Sequence, residues 1–163
     1  ELKIGSVLLS LPISESRAPL WPVDIVGSIT HNHSLVGAAV SKNTELLGVG
    51  IDFEVMDRVK CEMGRYICGP QDLKSHADLS DTEILTLIFS AKESLYKALY
   101  PSVNCFFGFN AAAVKEINFL EGSFIIELVS QINLNFGPSG RSQFQGRFLI
   151  QDNNCLTVLE IKP

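Results

Sequence analysis

The chain has 163 residues, with Lys+Arg 13 against Asp+Glu 18 and a formal charge of −5. With 46% apolar and 19% charged residues it can bury a core of its own, which excludes a disordered segment, a coiled coil and a collagen-like repeat. The acid excess argues against a nucleic-acid partner, whose phosphates require a basic surface.

In chain order, residues 4–12 predict a buried strand, followed by a polar loop over Ser14–Asp24 that holds Trp21. Residues 25–31 and 35–41 predict short strands joined by Asn32-His33-Ser34, and 46–54 a third, together an antiparallel meander. A short helix is expected near 57–67, stopped by Gly69-Pro70. Ser80 and Glu83 form a capping box, each side chain satisfying an otherwise unpaired N–H, and open a helix over 81–100 that Pro101 is expected to end. Residues 112–119 and 123–130, turned at Glu121-Gly122, read as a hairpin. Strands near 143–151 and 155–161 follow, turned at Asp152-Asn153-Asn154. Strands and helices do not alternate regularly, so the expected class is α+β with antiparallel sheet.

Cys61, Cys68, Cys105 and Cys155 match no CxxC pattern and read as free thiols in a reducing compartment. No apolar run approaches the ~20 residues of a membrane-spanning helix, and a cytoplasmic monomer without a transmembrane segment is expected. His31, His33 and His76 are too scattered for a zinc site.

Three groups of residues could do chemistry. On the 81–100 helix, Ile84, Leu87, Ile88, Ala91, Leu95, Ala98 and Leu99 fall opposite Glu93 and define a core face. Thr86, Phe89, Lys97 and Tyr100 fall near Glu93, and Glu93 with Lys97 makes an i,i+4 pair, either a solvated surface pair or part of a cleft wall. Asp52 and Glu54 stand two apart in an apolar strand, so both carboxylates project to one face. Like charges so placed repel, and the pair is either a strand end leaving for solvent or a site for a cation such as Mg²⁺, which takes oxygen ligands. Gly27-Ser28-Ile29-Thr30-His31 could offer donors to a phosphate, although it is no P-loop, and His31 could equally be structural.

Taken together, Arg17-Ala18-Pro19-Leu20-Trp21-Pro22 with Gly27–His31, then Val49-Gly50-Ile51-Asp52-Phe53-Glu54, then Phe89-Ser90-Ala91-Lys92-Glu93-Ser94-Leu95-Tyr96-Lys97-Ala98, and Gly108-Phe109-Asn110, resemble a known family. It is the 4′-phosphopantetheinyl transferases of the surfactin-synthetase-activating type, in the subgroup typified by the enterobactin synthetase component D. The resemblance implies transfer of the phosphopantetheine arm of coenzyme A to a serine of an acyl, aryl or peptidyl carrier protein, in siderophore synthesis. It implies Asp52, Glu54 and Glu93 as Mg²⁺ ligands, and Glu93 and Lys97 as catalytic, with Glu93 the base for the serine, directly or through water. It further implies that Arg17, Pro19, Thr30, His31, Lys92 and Lys97 contact coenzyme A, with Thr30 standing where the family has Ser. The family fold has two pseudo-symmetric halves with antiparallel sheets and packed helices, sharing an active site at their junction. On that scheme residues 1–44 are a truncated first half and 45–163 a second half carrying the metal site. The alternatives are a non-catalytic module that binds coenzyme A or a carrier protein and, more distantly, a Mg²⁺-dependent phosphohydrolase.

Overall fold

The computed structural model describes residues 11–15, 17–129 and 142–163. Most of the strand predicted over 4–12, and the last residue of the one predicted over 123–130, lie outside the described residues. The elements are β1 (Ile25–His31), β2 (Val36–Lys42), β3 (Gly48–Val55), the single-turn α1 (Gly64–Ile67), α2 (Asp81–Val103), β4 (Ala112–Asn118), β5 (Ser123–Leu128), β6 (Gln143–Gln151) and β7 (Asn154–Ile161). The class is α+β: a five-stranded antiparallel sheet in the order β3-β7-β6-β5-β4 and a two-stranded sheet of β1 and β2.

The expected meander does not form, because β3 pairs with the last strand, β7, from Gly48↔Ile161 to Val55↔Asn154. β1 meets the free edge of β3 with side chains instead of backbone. The Ile51 N–H donates to Ser28 Oγ and the Phe53 N–H to Thr30 Oγ1, each at 3.0 Å. Two hydroxyls thereby satisfy strand-edge donors that a third ladder would otherwise take.

α2 opens at the capping box: the Glu83 N–H donates to Ser80 Oγ, and the Ser80 N–H donates to Glu83 Oε2 at 2.8 Å. Its predicted core face, Ile84 to Leu99, is buried without exception. Thr86, expected beside Glu93, is fully buried too, its hydroxyl donating to the Thr82 carbonyl at 2.8 Å. Pro101 does not end the helix. It falls in the last turn, where a missing N–H forfeits a single helical bond, and the helix closes at left-handed Asn104 (φ 46), whose N–H reaches the Tyr100 carbonyl. In place of one helix near 57–67 there is a 3₁₀ turn at Cys61–Met63 running into α1.

The contact between α2 and the sheet is unusually close, for a reason legible atom by atom. A Cβ on Gly50 would lie 1.8 Å from the Ser94 carbonyl oxygen, and one on Gly48 2.2 Å from that of Ala98. Only glycine lets β3 run against the helix backbone at this distance. On the neighbouring strand Thr157 Oγ1 lies 2.9 Å from Ser90 Oγ and 2.7 Å from Ser94 Oγ, and it donates to the Ser90 carbonyl. Such small and hydroxylated residues hold α2 in one register over β3 and β7, with Asp52 and Glu54 facing Glu93 and Lys97. The hairpin of β6 and β7 turns through Asp152 (φ 50) and Asn153 (φ 61), a type I′ geometry suited to strand twist.

Candidate functional site

Asp52 is buried. Its Oδ1 accepts from Lys97 Nζ at 2.7 Å and, at 3.4 Å, from the Thr30 hydroxyl. Lys97 Nζ also donates to the Ile51 carbonyl at 3.0 Å, so the lysine straddles the strand at the carboxylate. The other oxygen, Asp52 Oδ2, is buried with no hydrogen-bond partner. Glu54, two residues on and also buried, is paired with the largely exposed Arg58.

Burial pushes the Glu54 carboxyl up and Asp52 pushes it further, while the bond from Arg58 pulls it down; the net direction is up. Glu93 on α2 is raised for the same reasons, first burial, then the charges of Asp52 and Glu54, with Lys97 opposing. Glu54 thus feels the charge of Asp52, and Glu93 that of both Asp52 and Glu54, so the acids lie close enough to disfavour one another's ionised forms.

Among the described residues no three His, Cys, Asp or Glu side chains form a ready-made metal cage. The chemistry of the donors nevertheless fits a hard, oxygen-seeking cation. Asp52 Oδ2 is an orphaned buried acceptor, and the charges of Asp52 and Glu54 both raise Glu93 nearby.

Beside Lys97 opens a cleft of about 410 Å³ between the 13–21 segment, β1 and the end of α2. Arg17, Pro19, Trp21, His31, Tyr96, Lys97 and Tyr100 line it. Its outer wall is a small folded loop: Ile13 bridges Pro19, the Leu20 N–H reaches the Pro12 carbonyl, and Arg17 sits in the bend at φ 65. The Trp21 ring lies flat on Gly27, where a Cβ would be 2.5 Å from it. The cleft thus combines aromatic walls with Arg17, His31 and Lys97, the mixture that suits a flat, anionic ligand. A second concavity of about 440 Å³, over β6 and β7, contains none of these residues.

Arg17, Pro19, His31 and Lys97 are thus brought together, as are Asp52, Glu54 and Glu93. Two expected contacts with coenzyme A are not. Thr30 alternates away from His31 along β1, and its buried hydroxyl is spent on the Phe53 N–H and Asp52. Lys92 is buried as well. Its ammonium donates to Asp72 Oδ2 at 2.7 Å, to the Ile67 carbonyl at 2.8 Å and to the Phe109 carbonyl at 3.0 Å. With all three donors committed internally, it has none for a ligand. Sequence reasoning reaches Tyr100, which falls beside Glu93 on a possible cleft wall and does line the cleft, but it gives no site role to Arg58, Asp72 or the wall residue Tyr96. Arg58 had a signal, its i+4 spacing from Glu54. Asp72 had none, because it meets Lys92 only through the fold.

The sequence pattern of the 4′-phosphopantetheinyl transferase superfamily matches residues 48–149, and that of the 4′-phosphopantetheinyl transferase N-terminal domain matches residues 3–41. The chain belongs to the 4′-phosphopantetheinyl transferase superfamily. It is 30% identical over 171 residues to the 4′-phosphopantetheinyl transferase Npt of Nocardia iowensis, covering 96% of this chain and 74% of that protein. It is 39% identical over 90 residues to enterobactin synthase component D of Escherichia coli (strain K12), 53% of this chain and 42% of that protein. Identity to the 4′-phosphopantetheinyl transferase PptT of Mycobacterium tuberculosis is 28% over 149 residues, 86% of this chain and 64% of that protein. The chain therefore spans under half the length of the E. coli enterobactin component and about three quarters of the Nocardia protein. Among the described residues no helix is long and apolar enough to cross a membrane.

Proposed function

We propose that this chain transfers the 4′-phosphopantetheine arm of coenzyme A to a serine hydroxyl of a carrier protein. The observation that carries the reading is the shared position of Lys97. It lines the aromatic, cationic cleft and at the same time bonds Asp52 beside the orphaned oxygen. A nucleotide held in the cleft has its phosphates next to the acidic cluster.

Arg17, His31 and Lys97 bind the anionic groups of coenzyme A, and Trp21 and Tyr100 exclude water from the nucleotide end. Asp52, Glu54 and Glu93 would hold Mg²⁺. That ion supplies positive charge for the phosphoryl oxygens as negative charge develops on them. The serine Oγ forms a bond to the β-phosphorus, and the bond from that phosphorus to the bridging oxygen breaks. Adenosine 3′,5′-bisphosphate leaves with the electron pair, and the serine proton passes to Glu93, directly or through water. Lys97, already oriented by Asp52 and the Ile51 carbonyl, stabilises the departing phosphate oxygen. The likeness to enterobactin synthase component D supports a carrier domain of siderophore synthesis as the acceptor. On this reading the enzyme is cytoplasmic and monomeric, with its active site where residues 1–44 meet 45–163.

The test incubates the protein with coenzyme A, Mg²⁺ and several apo carrier proteins and reads the carrier mass. One added phosphopantetheine is expected, and it should disappear with EDTA or with Glu93→Gln. No gain on any carrier overturns the proposal, and full activity of Glu93→Gln removes Glu93 from the mechanism.

A further inference from the structure

The Asp72–Lys92 pair is the most enclosed ionic contact among the described residues, with side chains 0% and 2% exposed. Its acceptors and donors belong to separate parts of the chain. Asp72 Oδ2 accepts from Lys92 Nζ and from the Gly69 N–H at 2.7 Å, and Oδ1 accepts from the Val114 N–H of β4 at 2.8 Å. Lys92 in turn reaches the last residue of α1 through the Ile67 carbonyl, and the loop before β4 through that of Phe109. A buried ion pair of this kind contributes little net stability, since a well-packed apolar pair of similar volume commonly serves as well. What such a pair does provide is direction: each bond fixes one backbone segment against α2.

The segment fixed through Phe109 faces the proposed active site. Directly after Lys92 comes Glu93, and the two form one side of a pocket of about 240 Å³ whose other side includes Phe106, Phe107 and Phe109. Ring contacts at 5.0 Å between Tyr96 and Phe107, and at 5.3 Å between Phe89 and Phe109, complete the enclosure. The carbonyl of Phe109 is the polar tie between this aromatic wall and the helix that presents Glu93.

We propose that Asp72 is a positioning residue: acting through Lys92, it sets the Phe106–Phe109 wall against Glu93 in the geometry the transfer needs. The proposal rests on the transferase reading above. It separates the two parts of the site, since the cleft lined by Arg17, Trp21 and His31 touches neither member of the pair.

The decisive variant is the double replacement Asp72→Asn with Lys92→Met, which removes both charges and with them any penalty for a buried unpaired ion. Its Tm should lie above that of Lys92→Met, which leaves Asp72 charged and unpaired. It should stay below that of the wild type, because the Ile67 and Phe109 carbonyls lose the ammonium and an Asn amide keeps only one acceptor oxygen for the Gly69 and Val114 N–H groups. Its kcat for carrier modification should fall by about 10- to 100-fold, the scale of a small misplacement of reacting groups. Inhibition by adenosine 3′,5′-bisphosphate, which fills only the cleft, should be unchanged. Hydrogen exchange should quicken at Ala111, whose N–H bonds the Gly108 carbonyl within the wall. Wild-type kcat in the double variant would overturn the proposal and leave the pair a purely structural element. Should the double variant not fold, Asp72→Asn alone, isosteric with the native residue, carries the same test: a normal kcat with normal exchange overturns the proposal. An inactive wild-type chain would instead count against the transferase reading, while the exchange measurement would still report on Asp72.

Discussion

Two lysine–aspartate pairs lie a little over one turn apart on α2, and each has an N–O distance of 2.7 Å. Their surroundings differ in every other respect. Lys92–Asp72 is closed, with side chains 2% and 0% exposed and both carboxylate oxygens occupied. Lys97–Asp52 is open, at 25% and 6%, with one oxygen unpartnered and two further carboxylates pressing on it. The closed pair has spent its hydrogen-bonding capacity on the fold. The open pair has kept some back, and a site that must bind a changing set of charges needs that reserve. Burial of an ion pair alone thus says little about function; the count of unused donors and acceptors says more.

Breaking the closed pair should have the larger effect on the fold. Lys92→Met leaves Asp72 charged and buried and should cost about 3–5 kcal/mol of stability, measured by urea denaturation. Breaking the open pair should act on the reaction. Asp52→Asn keeps the shape, and kcat should fall by about 10²- to 10³-fold, read as carrier mass gain against time, with a much smaller shift in the urea midpoint. Between these stands the close approach that sets the open pair over the helix. Gly50→Ala forces a methyl toward the Ser94 carbonyl, and stability should fall by about 1–3 kcal/mol together with activity, in thermal melts and the transfer assay. The smallest effect concerns the exposed start of the same helix. Bonds from the Ser80 hydroxyl and N–H hold Glu83 below its ordinary value of 4.5. Its contribution is therefore complete above that value and lost as pH falls through the lower folded one. The urea midpoint of Glu83→Gln should accordingly fall less than that of the wild type between pH 7 and pH 3.

Local chemistry explains which elements could be read in advance. The capping box, the apolar face from Ile84 to Leu99 and the Asp152-Asn153 turn each depend on neighbours within a few residues, and each stands where the sequence puts it. The partner of β3 was not legible, since its strand pattern fits an adjacent hairpin as well as the distant β7. Pro101 misled for a related reason: its cost depends on how many helical bonds remain to be made after it, and at the end of α2 there are few. In the candidate site, the shared face of Asp52 and Glu54 follows from strand alternation, and the Glu93–Lys97 stripe from helical spacing. Thr30 and Lys92 are adjacent in sequence to His31 and Glu93, yet they turn inward, because successive residues on a strand or helix face different surroundings.

By itself the sequence determined the α+β class, the family and the short-range geometry of its acidic and basic residues, because motif order and periodicity are properties of the chain alone. Only the tertiary structure decided which charges are free to act. Asp72 and Lys92 lie 20 residues apart and neutralise each other inside the protein, while Asp52 and Lys97, 45 apart, meet at the edge of a cleft. Whether a donor is spent or spare depends on every segment packed around it, and that is set by the fold as a whole.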